Sequence, residues 1–336
     1  MKIKRNDIIE VTVDSISFGG SGFTKYNDIA IFIDKALPGQ KLKVKLFKKY
    51  KSYFKAGIVE VIKESPHALD PKCIHFNDCG GCSFQNFDYK EQLKQKEMQV
   101  KDTLSHIGNL KSLKVKPILG AKEHFNYRNK MEFAFSGNQW FEKHNPKEKK
   151  ELCLGLHPKG RFDKTIDLES CQIQSNIANK IMNVAREVAI KSNLIPYDIR
   201  KHTGFLRQLV IRSADYNNET MVIIVTSKND QKKLEPLIKE LIKIKEIRSI
   251  INNVNSRKAD VSYSNERYLL HGDEFITEKI GKYKFKISAD SFFQTNSKQT
   301  KKLYDIIKKE ANLKGEEVLY DLYCGTGTIG IYLSNK

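Results

Sequence analysis

Three of the chain's six cysteines fall within ten residues, Cys73-Ile74-His75-Phe76-Asn77-Asp78-Cys79-Gly80-Gly81-Cys82. This C-x5-C-x2-C run constrains the backbone more than any other stretch, because its loop must curl tightly if the thiols serve one centre. Gly80 and Gly81 permit the curl, since glycine reaches positive φ without steric cost. A C-x4-C-x2-C run with a distant fourth cysteine is one known way to hold an iron–sulfur cluster, and this spacing is close to it. Zinc sites show tighter C-x2-4-C pairs with a second pair downstream. On spacing alone the iron–sulfur reading fits best, with zinc, or three unrelated cysteines in a loop, as the alternatives.

The length, 336 residues, accommodates two or three domains. A composition of 40% hydrophobic and 29% charged residues is that of an ordinary soluble globular chain. No apolar run approaches a membrane span. The start, Met1-Lys2-Ile3-Lys4-Arg5-Asn6-Asp7, lacks the apolar core of a signal peptide. The expected location is the cytoplasm, where cysteines point to metal or catalysis rather than disulfides. Lys and Arg number 59 against 40 Asp and Glu, a net charge of +19. That excess calls for a polyanion partner, nucleic acid first, unless the whole source proteome is Lys-rich.

The pattern along the chain implies a multi-domain α/β protein. Residues 1–62 read as about five short strands, with ranges at 8–13, 29–33, 41–46 in strict alternation, and 54–62, and a glycine turn at 18–23. This predicts a small β-barrel of the oligonucleotide-binding kind. Lys48, Lys49, Tyr50, Lys51, Tyr53, Phe54 and Lys55 suit single-stranded RNA, whose bases stack on rings, or else form a solvated, aggregation-proof strand edge. Residues 63–280 read as a central α+β domain. It holds the cysteine loop and a helix over 88–107 with an imperfect apolar stripe of Leu93, Val100, Leu104 and Ile107, ended by Gly108. Further strands fall at 131–136, 151–156, 206–213, 220–226, 248–254 and 268–272, with helices at 177–193 and 234–244. The charged stretch 143–150 predicts a mobile hairpin tip. In Tyr127-Arg128-Asn129-Lys130, Arg128 and Lys130 are candidate RNA contacts.

From 281 onward the pattern is a strand at 283–288, a helix from Ser297 capped by Asn296, then an apolar strand from Glu317 running into Cys324-Gly325-Thr326-Gly327. Strand, glycine loop and helix start together read as the first turn of a Rossmann-like unit, where glycines let the backbone approach a nucleotide-like ligand.

Taken together these motifs resemble one family. Cys79-Gly80-Gly81-Cys82-Ser83-Phe84-Gln85, running into Tyr89, Gln92 and Lys96, resembles the cluster motif of bacterial ribosomal RNA (uracil-5-)-methyltransferases. Ser291-Phe292-Phe293-Gln294-Thr295-Asn296 is similar to their F-x-Q-x-N motif, and Asp321-Leu322-Tyr323-Cys324-Gly325-Thr326-Gly327 to their first methyltransferase motif. Residues 1–62 resemble their RNA-binding TRAM domain. The resemblance implies a four-iron, [4Fe-4S] cluster on Cys73, Cys79, Cys82 and Cys171, with Cys153 a small core residue. It implies S-adenosylmethionine held by Gln294, Tyr323 and Gly325, ribosomal RNA as partner, a flipped target uracil, and a cytoplasmic monomer. The helix over 88–107 is then a candidate to pack on the methyltransferase domain, which begins at 281.

One departure is large. In the family a cysteine adds to C6 of uracil so that C5 attacks the sulfonium methyl, and a general base then removes the C5 proton. Both residues lie far beyond the first methyltransferase motif, and Cys324 matches a position the family does not use as nucleophile. The expectation is a C-terminally truncated chain, inactive by itself. The alternatives are a non-catalytic RNA-binding iron–sulfur module and a redox or zinc protein.

Overall fold

A computed structural model describes residues 3–141 and 152–334. The chain divides into two compact units, Met1–Phe76 with Cys82–Lys122, and Asn77–Gly81 with Glu123–Lys336. The stretch 143–150, read as a hairpin tip, lies outside the described residues.

The first unit is built on six strands: β1 (Ile8–Thr12), β2 (Ser15–Ile16), β3 (Gly22–Tyr26), β4 (Ile29–Ile33), β5 (Lys41–Lys49) and β6 (Tyr53–Lys63), in the order β1-β5-β6-β4-β3-β2. The extra strand over the five expected is β2, too short to announce itself. In β5 the pleat sends Leu42, Val44 and Leu46 inward and the alternating lysines outward. Those three share one core with Val11 of β1, Ile31 and Ile33 of β4, and Phe54 and Ala56 of β6, so the sheet wraps around it.

Helix α1 (Tyr89–Asp102) starts where the Asp88 carboxylate accepts the backbone N–H groups of Lys90 and Glu91. It passes into a π-helical turn, Thr103–Ile107, closed by Gly108 without a left-handed φ. The stripe expected to pack is not the packed face, for Val100 and Ile107 are exposed and the helix's buried residue is Gln95. Gln95 Oε1 accepts from the Ile16 backbone N–H at 2.9 Å, and Gln99 Nε2 donates to the Ile16 carbonyl at 2.8 Å. The cause is β2, a strand at the end of the sheet whose backbone groups need partners, which amides supply and leucines do not.

The second unit carries a seven-stranded sheet. Its strands are β7 (Lys130–Ser136), β8 (Cys153–Leu156), β9 (Ile166–Asp167), β10 (Leu206–Ala214), β11 (Glu219–Thr226), β12 (Ile247–Val254) and β13 (Glu266–Gly272), in the order β13-β12-β11-β10-β7-β8-β9. Only β11 and β12 run parallel, joined through α3 (Gln231–Leu241); the other pairings are antiparallel. The central β10 and β11 are buried nearly throughout, so they read as apolar runs rather than alternations. Helix α2 (Asn176–Lys191) packs on β8, β10 and α3.

Val210, Met221, Ile223 and Ile251 of this sheet are covered by a hairpin, β14 (Phe275–Ile280) with β15 (Tyr283–Ser288), and by α4 (Ser297–Ala311) and α5 (Thr328–Leu333). The boundary drawn at 280 therefore falls at the turn of one hairpin. β14 escaped the sequence reading because its second inward position is Glu278, a buried carboxylate. The strand expected from Glu317 does not form. Val318, Tyr320 and Leu322 are exposed, because no described strand lies alongside to take their backbone hydrogen bonds. Among the described residues, no helix is long and apolar enough to cross a membrane.

Candidate functional site

Each half of the cysteine set is already held by hydrogen bonds. In the first unit Gln85 clamps two cysteines at once: Nε2 donates to Cys82 Sγ at 3.3 Å, and Oε1 accepts from the Cys73 backbone N–H at 3.2 Å. Burial pushes the Cys73 thiol above its ordinary pKa, and nearby Cys82 acts in the same direction. In the second unit the Gly81 N–H donates to Cys79 Sγ at 3.4 Å, and the Gly80 N–H to the His157 carbonyl at 3.0 Å. A Cβ on Gly80 would stand 2.9 Å from that carbonyl, so the tight approach needs glycine. Cys171 is buried, its backbone N–H and C=O both gripped by the Asn179 amide at 2.8 and 3.1 Å.

Thiols taking N–H donors, near glycines that admit close backbone approach, are the donor chemistry of an iron–sulfur cluster. The expected convergence on one metal centre is not seen: among the described residues no group of three or more His, Cys, Asp or Glu side chains is arranged to hold a metal ion. Cys153 sits in β8, buried, and donates to the Ser136 carbonyl at 3.2 Å; burial above all, with Asp167 next, drives its thiol up to about 12. That is a packed core cysteine, not a thiolate ligand.

The two stretches read as cofactor motifs do meet. Thr326 Oγ1 of the glycine loop donates to the Phe292 carbonyl at 3.0 Å, tying that loop to the F-x-Q-x-N segment. Within the loop Tyr323, Gly325 and Gly327 all adopt positive φ. For the two glycines this is unforced; for Tyr323 it is a conformation that side chains rarely adopt, and its ring lies fully in solvent. The Asp321 carboxylate accepts the Gly330 N–H at 3.1 Å in the first turn of α5. Buried hydroxyls join α4 to α5, Tyr304 to Thr328 at 2.7 Å.

The Gln294 segment is held from the sheet. Asn129 donates from Nδ2 to the Gln294 carbonyl and to Ser297 Oγ, each at 2.9 Å, and from its backbone to the Thr295 carbonyl at 2.9 Å. Ser297 Oγ in turn donates to Glu278 Oε2 at 2.8 Å, which also accepts the Asp215 N–H at 3.1 Å. The buried Arg212 guanidinium bonds the Ser288 and Ser291 carbonyls, and burial lowers its pKa to about 10. Among the described residues no hydrogen bond engages the Gln294 side-chain amide.

Arg128 and Lys130 stand beside this network. Arg128 Nε donates to the Lys130 carbonyl at 3.0 Å, and Lys130 pairs with Glu132 at 2.6 Å. Sequence reasoning chose these two from the Tyr127–Lys130 tetrapeptide and missed Asn129 between them. It missed Arg212 and Glu278 as well. The available signal was a charged residue at an inward position of an apolar strand pattern.

The chain thus carries an N-terminal sheet wrapped on one core, a central mixed sheet, and a glycine loop tied to a glutamine-bearing segment. The TRAM domain family matches residues 2–59. An uncharacterized RNA methyltransferase of Chlorobaculum tepidum is 36% identical over 99% of this chain and 71% of its own length. One from Halalkalibacterium halodurans is likewise 36% identical, over 99% of this chain and 71% of its own length. The chain belongs to this RNA methyltransferase family. The crystal structure of the Pyrococcus abyssi tRNA (uracil-54, C5)-methyltransferase, in complex with S-adenosyl-L-homocysteine, superposes with a TM-score of 0.72. It covers 96% of this chain and 70% of that one, and at 24% identity it shows a shared fold.

Proposed function

We propose that the protein serves S-adenosylmethionine-dependent methylation of uridine C5 in ribosomal RNA. The observation that carries this reading is the Thr326–Phe292 hydrogen bond, which brings the glycine loop and the Gln294 segment together as one cradle. Gln294, Tyr323 and Gly325 are the residues assigned to hold S-adenosylmethionine, which when bound supplies the electrophilic methyl. The positive-φ glycines admit a ligand close to the backbone, and the uncommitted Gln294 amide offers it both a donor and an acceptor.

RNA is assigned to the basic surfaces. On the N-terminal sheet the Tyr50 and Tyr53 rings stack with centroids 4.4 Å apart, and Lys48 Nζ lies 4.9 Å from the Tyr50 ring. Rings beside lysines are the platform that unpaired bases use. Arg128 and Lys130 are assigned to the same RNA from the second unit. Cys73, Cys79, Cys82 and Cys171 are assigned to a [4Fe-4S] cluster, supported by the N–H···S bonds at Cys79 and Cys82. The protein works as a cytoplasmic monomer on this reading.

The nucleophile is not assigned to Cys324, which is exposed in the glycine loop. Because Val318, Tyr320, Leu322 and Tyr323 lie open to solvent, these 336 residues alone are proposed to bind RNA without methylating it. The test is incubation of the purified chain with labelled S-adenosylmethionine and unmodified ribosomal RNA. RNA binding that weakens steeply with salt, without label at uridine C5, is expected. Label at C5 with no second polypeptide present would overturn the inactivity, and no RNA binding would overturn the reading as a whole.

A further inference from the structure

The β14–β15 hairpin has two opposite faces. Ile276, Ile280, Phe285 and Ile287 point into the core against the seven-stranded sheet. The outward face carries Lys279, Lys284 and Lys286, all exposed, with Lys282 at the turn. Lys279 and Lys284 are direct cross-strand partners, and Lys286 stands opposite Thr277. Like charges directly opposite each other on an antiparallel pair destabilise it. Among the described residues no ion pair relieves these lysines. Glu278 is buried on the inner face, and Glu219 takes the Thr277 N–H at 2.7 Å and the Asn217 amide at 3.2 Å.

Aromatic rings lie under the ammonium groups. Lys279 and Lys284 Nζ sit 5.4 and 5.2 Å from the Tyr216 ring centroid, and Lys286 Nζ sits 4.3 Å from that of Phe275. Lys284 and, less strongly, Lys279 hold the Tyr216 phenol below its ordinary pKa. Rings fix the lysine heads over one strip of surface, so less side-chain freedom remains to be lost when an anion arrives.

We propose that the outer face of this hairpin, Lys279, Lys284 and Lys286 over Tyr216 and Phe275, is a docking strip for the phosphate backbone of the RNA substrate. The charge repulsion that the free hairpin tolerates is relieved when phosphates settle between the lysines. The strip reads charge and not sequence, so it positions the RNA without selecting the target base. This rests on the reading of RNA as the substrate.

The experiment compares three proteins in RNA binding from low to moderate salt, with a ribosomal RNA fragment as probe. They are the unaltered chain, K279Q/K284Q/K286Q, and a control with three exposed lysines removed around α3, K232Q/K239Q/K245Q. Each phosphate contact to single-stranded RNA contributes about 0.7 to the slope of log K against log salt. The hairpin variant is expected to lose about 2 from that slope and to keep or raise its melting temperature. The control is expected to lose clearly less. An unchanged slope in the hairpin variant, or an equal loss in the control, overturns the proposal while leaving RNA binding standing. A flat or absent interaction in the unaltered chain overturns both.

Discussion

Asn129 holds Gln294 by its backbone and leaves its side chain unbound: Nδ2 reaches the Gln294 carbonyl at 2.9 Å and shares itself with Ser297 Oγ at 2.9 Å. The Gln294 segment is thus anchored to the residue just ahead of strand β7, although 165 positions separate the two in sequence. Asn129→Ala is expected to cost about 1–3 kcal/mol, since it strands a carbonyl and a hydroxyl. Denaturant unfolding of the variant reads this directly. A loss below about 0.5 kcal/mol would show that water replaces the amide without penalty.

The glutamine side of α1 gives a second prediction. Gln95→Leu keeps size but leaves the buried Ile16 N–H without its acceptor at 2.9 Å. It is expected to destabilise the first unit by about 1–3 kcal/mol. Val100→Gln on the exposed face of the same helix should change stability by less than about 0.5 kcal/mol. Equal effects from the two substitutions would mean that the apolar stripe packs after all.

Iron content tests the cysteine set. Anaerobically purified protein is expected to carry iron and sulfide, and Cys79→Ser or Cys171→Ser to lose most of it. Cys153→Ser should retain it. Zinc as the sole metal, or iron that survives Cys171→Ser, would refute the four-cysteine assignment.

Cys153 supplies a pH dependence. Its folded pKa of about 12 lies above the ordinary thiol value, so the unfolded chain loses this proton first as pH rises. The stability from keeping the thiol neutral is therefore complete below about pH 8.5 and drains away toward pH 12. Relative to Cys153→Ala, the unaltered protein is expected to lose at most about 1.4 kcal/mol per pH unit across that window. Alkylation at pH 8.5 should label exposed Cys324 in the native state and Cys153 only after unfolding. Parallel stability curves for the two proteins would refute the buried-thiol account.

Most of the strands were legible because their alternation or apolar runs are local properties. Lys41–Lys49 announces its two faces residue by residue, and Leu206–Ala214 announces its burial. What stayed hidden depends on partners distant in the chain. Gln95 is polar, and only the unsatisfied backbone of Ile16 makes it a packing residue. Glu278 breaks an inward pattern because Ser297 and Asp215 wait for its carboxylate. The strand expected from Glu317 failed for the opposite reason: its sequence is suitable, but a strand exists only beside another strand. Gln294 and Gly325 were singled out from motif alone, whereas Asn129, which anchors the Gln294 segment, is visible only in three dimensions.

The contact between α4 and α5 has a consequence for the loop between them. Tyr304 bonds Thr328, and Tyr332 bonds Asp305 at 2.6 Å, so both ends of residues 312–327 are pinned while the middle stays in water. Closing such a loop carries an entropy that grows only with the logarithm of its length, about 0.6 kcal/mol for each doubling. Residues inserted near Glu316 should therefore be tolerated cheaply, and the ligand proposed at Gly325 would not have to bring the two ends of the loop together.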